Sequence, residues 1–191
     1  LATPEAFARD PETVWSWYEW RRELIRQAQP NAGHFALADL ARRVPRLTLV
    51  TQNVDGLHQR AGSLGVLEYH GNILRDRCTV EQMVADRSED TRTGLPRCAA
   101  CGGLLRPDVV WFGESIPVGP MTLAASAAED CDVFLSVGTS SLVYPAAGLA
   151  EVALRRRATV IEINPNETDL SPHSHLTLRG PSGQILPALM P

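Results

Sequence analysis

Two short apolar runs in the second half of the chain each end in a polar loop, and a helical stretch separates them. Asp132 to Val137 runs into Gly138-Thr139-Ser140-Ser141, and Thr159 to Ile163 runs into Asn164-Pro165-Asn166. The span between them, Pro145 to Arg157, is apolar on a helical period and has proline near its first turn. A strand, a helical crossover and a second strand predict parallel neighbours, because parallel strands cannot be joined by a tight turn. The earlier sequence repeats the alternation. Strands are predicted at Leu47 to Val50, Val66 to Tyr69 and Asp108 to Phe112, with a last one at His175 to Leu178. Helices are predicted at Glu12 to Gln29, His34 to Arg43 and Pro120 to Asp130. The first of these has a clear start, with Asp10 as cap, Pro11 in the first position and Glu12 in the first turn. The expected fold class is α/β, built on a parallel sheet. In open sheets of this kind ligands bind beyond the C-terminal strand ends, so a nucleotide or similar ligand is expected at the polar loops.

One segment breaks the pattern. Ile73 to Arg106 is polar and charged and holds Cys78, Cys98 and Cys101; Cys131, the fourth cysteine, lies in an apolar run. This spacing points to a small inserted module with a metal site, plus one buried thiol, rather than a disulfide framework. The chain has 191 residues, 44% of them hydrophobic, with acidic and basic residues mixed along it and a net charge of -4. It carries no basic stripe for nucleic acid. No signal peptide or membrane-length apolar run is present, so a reducing, cytoplasmic setting is expected, with no membrane partner. The chain starts at Leu1 in mid-pattern, and further residues upstream are expected.

Four stretches bear chemical groups. Thr51-Gln52-Asn53-Val54-Asp55-Gly56-Leu57-His58 brings two carboxamides and a carboxylate to one loop. Such groups can orient an amide, a ribose hydroxyl or a water; alternatively, Asn53 and Asp55 bond their own backbone in a turn. Glu68-Tyr69-His70-Gly71-Asn72 places a histidine before a glycine, where it can sit exposed in a cleft. Its ordinary pKa of about 6.5 suits a general base, although a lone histidine is more often structural. Val109-Val110-Trp111-Phe112-Gly113-Glu114 is the third stretch. Gly138-Thr139-Ser140-Ser141-Leu142-Val143-Tyr144-Pro145, the fourth, is a strand-to-helix junction of small residues suited to a phosphate or ribose contact.

In combination, order and spacing, Thr51-Gln52-Asn53-Val54-Asp55, His70-Gly71, Trp111-Phe112-Gly113-Glu114 and Gly138-Thr139-Ser140 resemble the sirtuin family from about Phe7 to about Leu189. The resemblance implies a Rossmann-like parallel sheet with helices on both faces, a small zinc-ribbon-like insert and a helical module. The corresponding division is 1–30 for the helical part of the small domain, 31–72 and 107–191 for the Rossmann-like domain, and 73–106 for the insert. It also implies removal of acyl groups from protein lysines at the expense of NAD. Nicotinamide leaves, the acyl oxygen attacks the ribose to give an alkylimidate, and a histidine acts as base on the ribose hydroxyls. The products are free lysine and O-acyl-ADP-ribose.

His70 matches that base, and Asn53 and Asp55, with Gln52 beside them, match the nicotinamide and ribose pocket. Gly138, Thr139 and Ser140 match the phosphate-ribose contacts. Asn164, Asn166 and Ser182 match the adenosine side, although family members often have an acid where Asn166 stands. Phe112, Gly113 and Glu114 on one side, and Leu142, Val143 and Tyr144 on the other, match segments between which the substrate peptide adds as a strand. Val110 matches the lining of the acyl-lysine tunnel, and Trp111 is read as core packing. Acylated-lysine proteins are the implied partners of a monomeric protein. The chain itself has no lysine and cannot be its own side-chain substrate.

Tyr18 and Arg21, at i and i+3, share a helix face and resemble the Tyr-x-x-Arg pair of the branch that removes succinyl, malonyl and glutaryl groups. An arginine can fork onto a carboxylate, and a tyrosine hydroxyl can add a further bond. The alternative is that Tyr18 packs and Arg21 pairs with a nearby acid. Activity on acetyl groups is expected as well.

The family's structural zinc sits on two Cys-x-x-Cys pairs. Here Cys98 and Cys101 form the second pair intact, but the first pair reads Cys78-Thr79-Val80-Glu81. Three thiolates with Glu81, three thiolates with water or another acid, and no metal at all are the readings left open. The family's front strand and its Gly-Ala-Gly loop for the NAD pyrophosphate have no counterpart; no Gly-x-Gly occurs in the chain. Without that segment weak NAD binding and an unpaired sheet edge are expected. The rival readings are a non-catalytic module that binds acyl-lysine or ADP-ribose, and a mono-ADP-ribosyltransferase.

Overall fold

The computed structural model describes residues 1–86 and 94–189; part of the 73–106 segment therefore lies outside the described residues. The described chain forms two compact units. One comprises Leu1–Gln29, Thr51–Gly56 and His70–Ile116, and the other Pro30–Val50, Leu57–Tyr69 and Pro117–Pro191.

The first unit packs two helices, α1 (Pro4–Arg9) and α2 (Pro11–Gln27), with strands β3 (Gly71–Cys78), β4 (Val84–Asp86) and β5 (Leu105–Val109). The strands form an antiparallel sheet in the order β4-β3-β5. Asp10 caps α2 through its carboxylate, which accepts from the Thr13 amide, and Pro11 opens the helix. Helix α1 was not expected, although Thr3, Pro4 and Glu5 repeat the same cap, proline and acid signature. Phe7, Val14, Trp15, Tyr18, Ile73 and Trp111 make the core of this unit.

The charged residue Arg22 lies inside it, fully buried. Its Nε donates to the Ile73 carbonyl at 2.6 Å, and Nη2 donates to Asp76 Oδ1 at 2.7 Å. Nη1 reaches Glu19 at 2.7 Å, and Nη2 also reaches the Arg75 carbonyl at 3.3 Å. The guanidinium carbon stands 5.0 Å from the Trp15 ring centroid. A buried cation needs an opposite charge and acceptors for its donors, and these partners from α2 and β3 supply both.

The second unit contains a parallel sheet of β6 (Val133–Val137), β7 (Thr159–Ile163) and β8 (Leu176–Leu178), in that order. Helices α3 (Ala32–Arg43), α5 (Val118–Asp130), α6 (Gly148–Arg155) and α7 (Ser182–Leu189) belong to it, as do the short α4 (Leu57–Arg60) and strand β2 (Leu67–Glu68). Asn31 and His34 close a reciprocal capping box at the start of α3. The expected strand at Leu47 to Val50 is shorter and later, β1 (Val50–Thr51), although the Leu67 amide does bond the Leu49 carbonyl. The strand expected at Asp108 to Phe112 is β5, which lies three residues earlier and is antiparallel. Helix α6 starts at Gly148 rather than Pro145, and α7 was not expected. Strand β6 is less buried than its apolar run implies. It is an edge of its sheet among the described residues, and Val133 is exposed. No described helix is long and apolar enough to cross a membrane.

Buried Glu162 on β7 gathers the loop that follows. It accepts from Ser171 Oγ at 2.5 Å, from Arg179 Nη1 at 3.0 Å and from the Thr168 hydroxyl. Burial alone would raise its carboxyl pKa, but the bonds from Ser171, Thr168 and Arg179 outweigh burial and hold it below the ordinary carboxylate value.

Two outcomes follow from these buried charges. Arg22→Met removes the guanidinium bonded to buried Asp76 Oδ1 and is expected to cost about 3–5 kcal/mol in urea unfolding; a loss below about 1 kcal/mol would mean that the pair is dispensable. Because the Glu162 carboxyl has a lowered folded pKa, its stabilisation is complete above the unfolded value of about 4.3 and is lost as pH falls through the folded value. The stability gap between wild type and Glu162→Gln, measured by urea unfolding at a series of pH values, should therefore close on acidification. A gap that does not change with pH would contradict this.

Candidate functional site

In the first unit, the position of His70 follows from the strand that it precedes. β3 starts at Gly71, which faces Val109 of β5. A Cβ at residue 71 would lie 2.1 Å from the Asp108 carbonyl oxygen, and its φ is +80°. Only glycine fits this crossing. The His70 carbonyl accepts from the Val110 amide at 2.9 Å, which fixes the backbone on that side. His70 Nδ1 is 3.2 Å from the Gln52 carbonyl oxygen. A carbonyl can only accept, so Nδ1 carries the proton and Nε2 is the basic nitrogen of the neutral ring.

The loop from Gln52 to Gly56 is pinned to the same strand, since Val54 accepts from the Ile73 amide at 2.9 Å. The Asn53 amide donates to Thr51 Oγ1 at 3.1 Å. The turn thus uses the Thr51 hydroxyl, while the Asn53 carboxamide is exposed and bonds none of the described residues. Asp55 is half-buried in this loop.

Helix α2 carries Tyr18 and Arg21. Tyr18 is fully buried, and its hydroxyl accepts from Trp111 Nε1 at 2.7 Å. Burial raises its pKa despite that bond and the nearby Arg21 charge, so the hydroxyl keeps its proton. Arg21 is half-buried. Its guanidinium carbon stands 4.8 Å from the Trp17 ring centroid and 6.0 Å from that of Tyr18. It pairs with no described carboxylate, so one half of the structural alternative, an acid partner, is not what the helix provides. The adjacent Arg22 is the one that holds Asp76 and Glu19.

Trp111 does more than pack. Its ring lies 5.4 Å from Phe7, centroid to centroid, and the Arg106 guanidinium carbon is 3.4 Å from its centroid. Arg106 forks onto Glu114, and Glu114 Oε2 also accepts the Trp111 amide at 2.8 Å. Burial opposes but does not overcome the Arg106 bonds, so the Glu114 carboxyl lies below its ordinary value. The Glu114 side chain is therefore committed to Arg106 and Trp111. Phe112 is exposed, Gly113 has φ +88°, and Val110 is half-buried. Arg106 and the bond from Trp111 were not found from the sequence. Arg106 and Glu114 are eight residues apart and follow no helical or strand period that would pair them.

The three clustered cysteines do converge. The sulfurs of Cys78, Cys98 and Cys101 lie within 4.8 Å of one another, with 3.5 Å between Cys78 and Cys101. Glu81 Oε2 is 3.9 Å from Cys98 Sγ. The amides of Glu81 and Val80 both donate to Cys78 Sγ at 3.4 Å and favour its thiolate, lowering its pKa. With metal–sulfur bonds of about 2.3 Å, the three sulfurs fit three of the four positions of a tetrahedral zinc. Cys78, Cys98 and Cys101 would hold it, and the Glu81 carboxylate is close to this group. Such an ion would tie the end of β3 to the turn at Cys98–Cys101.

In the second unit, Gly138 follows β6 with φ +63° and donates to the Ile163 carbonyl at 2.9 Å. Asn164 follows β7 and is buried; its Nδ2 donates to the Thr139 carbonyl at 2.7 Å and its Oδ1 accepts the Asn166 amide at 3.1 Å. Thr139 Oγ1 accepts the Ser141 amide at 3.3 Å. Two of the predicted strand-end loops are thus joined by one carboxamide, which leaves Ser140 and Asn166 exposed. Ser182 is the first residue of α7. Its carbonyl oxygen would lie 3.0 Å from a Cβ at Gly33, so α3 and α7 approach closely there. Leu142, Val143 and Tyr144 are exposed, and the Tyr144 hydroxyl donates to Glu151.

Comparison with known proteins agrees with this geometry. The Sir2 family model matches residues 1–145. An NAD-dependent protein deacylase of Methylococcus capsulatus is 48% identical over 198 residues, which cover 100% of this chain and 78% of that protein. The solved complex of a Sir2 homologue with NAD matches with a TM-score of 0.95 at 45% identity, over 99% of this chain and 74% of that one. Sir2Tm bound to a propionylated peptide matches with a TM-score of 0.90 at 28% identity, over 97% of this chain and 80% of that one. A family match over most of the chain, together with a relative that is nearly half identical along the whole of this chain, means that this chain belongs to the Sir2 family.

Proposed function

We propose that the protein removes acyl groups from protein lysines with consumption of NAD, giving nicotinamide and O-acyl-ADP-ribose, and that it takes succinyl, malonyl and glutaryl groups as well as acetyl. The relatives named above act as NAD-dependent deacylases or bind NAD or an acylated peptide, which supports the general reaction. The acyl preference rests on a single observation. Arg21 presents a half-buried guanidinium with no described acid partner, and beside it the Tyr18 hydroxyl already accepts a bond and still has a proton to donate. A cation and a donor side by side suit a carboxylate at the far end of an acyl chain.

His70 is assigned as the general base, acting through Nε2, with its ring held by the Gln52 carbonyl. The exposed Asn53 carboxamide and the Asp55 carboxylate are assigned to orient the nicotinamide and ribose, with Gln52 beside them. In the second unit Gly138, Thr139 and Ser140 are assigned to the phosphate-ribose side, and Asn166 and Ser182 to the adenosine side. Asn164 is assigned to the adenosine side as well, and one donor and one acceptor of its carboxamide hold these loops in place. The backbones of Phe112, Gly113 and Glu114, and of Leu142, Val143 and Tyr144, are assigned to the acyl-lysine peptide, and Val110 to the acyl-lysine side chain. NAD, when bound, supplies the ribose carbon that takes up the acyl oxygen. Holding the two together is the protein's main contribution, because proximity governs that step. A zinc ion held by Cys78, Cys98 and Cys101 would have a structural role only.

The test uses the full-length protein and matched succinyl-lysine and acetyl-lysine peptides. Arg21→Met should lower kcat/KM on the succinyl peptide about 10- to 100-fold, the value of a charge-assisted bond, and leave the acetyl peptide within about twofold. Equal losses on both would defeat the carboxylate assignment. His70→Ala should abolish turnover of both peptides while peptide binding persists; retained turnover would remove His70 as the base.

A further inference from the structure

We infer that Trp111 is a positioning residue that sets acyl specificity by orienting the Tyr18 hydroxyl; this rests on the carboxylate reading of Tyr18 and Arg21 given above. A tyrosine hydroxyl has one proton and two acceptor sites, and in solution its proton rotates freely. Here the Trp111 indole N–H, which can only donate, occupies one acceptor site at 2.7 Å. The phenolic proton must then point away from Trp111. Tyr18 is fully buried, and no described residue accepts that proton. A buried donor left unpaired is costly, so an arriving acceptor is favoured there.

The indole is itself held rigidly. Phe7 packs near its ring, the Arg106 guanidinium lies against its face, and Glu114 ties the Trp111 amide and Arg106 together. A cation over the face draws electron density from the ring and makes the N–H a stronger donor. On the other side of Tyr18, Trp17 meets its ring edge-on with centroids 4.8 Å apart, and the same Trp17 carries the Arg21 guanidinium. Both carboxylate-binding groups are thus held by tryptophans, one by a hydrogen bond and one by stacking. A plain acetyl group has no distal carboxylate and gains nothing from this arrangement.

Trp111→Phe keeps an aromatic ring beneath Arg106 and removes only the N–H. In the full-length protein it should raise KM for the succinyl peptide about three- to tenfold, the range for one neutral hydrogen bond, with kcat and the acetyl KM within about twofold. Tyr18→Phe provides a second route that leaves the indole in place, and should give at least as large a selective rise. The double variant should be no worse than Tyr18→Phe alone, because Trp111 acts only through that hydroxyl. Acetyl turnover serves as the control for folding in every variant. Losses on both peptides from Trp111→Phe, or effects of the two substitutions that add, would overturn the inference and leave the carboxylate reading standing. A wild-type protein that does not turn over the succinyl peptide would overturn the carboxylate reading, and this inference with it.

Discussion

The first unit is organised around one buried cation. Arg22 leaves α2 with no access to solvent and finds acceptors at Ile73, Arg75 and Asp76 on β3 and at Glu19 on its own helix. Desolvating a guanidinium is costly, and only a near-complete set of partners offsets it. The strand and the helix are therefore fixed in register. Tyr18 and Arg21 lie within four residues of Arg22 on α2, and His70 immediately precedes β3, so a single ion pair helps to position all three residues. The glycine at 71 completes this arrangement. It lets β3 approach the Asp108 carbonyl more closely than any side chain would allow and so places His70 beside the Gln52 carbonyl.

The second unit solves a comparable problem with neutral groups at its strand ends. Loops at the C-terminal edge of a parallel sheet have backbone groups without ladder partners. Asn164 satisfies two of them at once by joining Thr139 to Asn166. Glu162, Thr168, Ser171 and Arg179 then hold the longer excursion before β8. Thr51, Glu162 and Asn164, which anchor these loops, are buried, and several of the residues assigned to ligand, Asn53, Ser140 and Asn166, are exposed. This division separates positioning from contact.

Much of this was legible in the sequence, for physical reasons that differ between elements. Asp10 and Pro11 mark the start of α2 because capping is a local property, and strands β6, β7 and β8 could be read from apolar runs ending in polar loops. Thr3 and Pro4 bear the same local signature but precede only six helical residues, too few for a periodic apolar face to declare itself. Strand β5 was placed late and read as parallel because its partner is fixed by a bulged register with β3, between Asn72 and Asp76, that no local pattern encodes. α7 begins within Gly180-Pro181-Ser182-Gly183, which reads as a turn. The convergence of Cys78, Cys98 and Cys101 was visible as spacing. The role of Trp111 was not: an aromatic residue in an apolar run looks like packing until its N–H is found on Tyr18, 93 positions away in sequence.

We propose that this Sir2-family protein consumes NAD to remove acyl groups, including those with a terminal carboxylate. The most direct measurement incubates the full-length protein with matched succinyl-lysine and acetyl-lysine peptides, with and without NAD, and follows the products by mass spectrometry. Loss of succinyl is expected only when NAD is present, with formation of nicotinamide and O-succinyl-ADP-ribose. Folded protein that removes neither group in the presence of NAD would contradict the enzymatic claim. Removal of acetyl alone would contradict the role given to Tyr18 and Arg21.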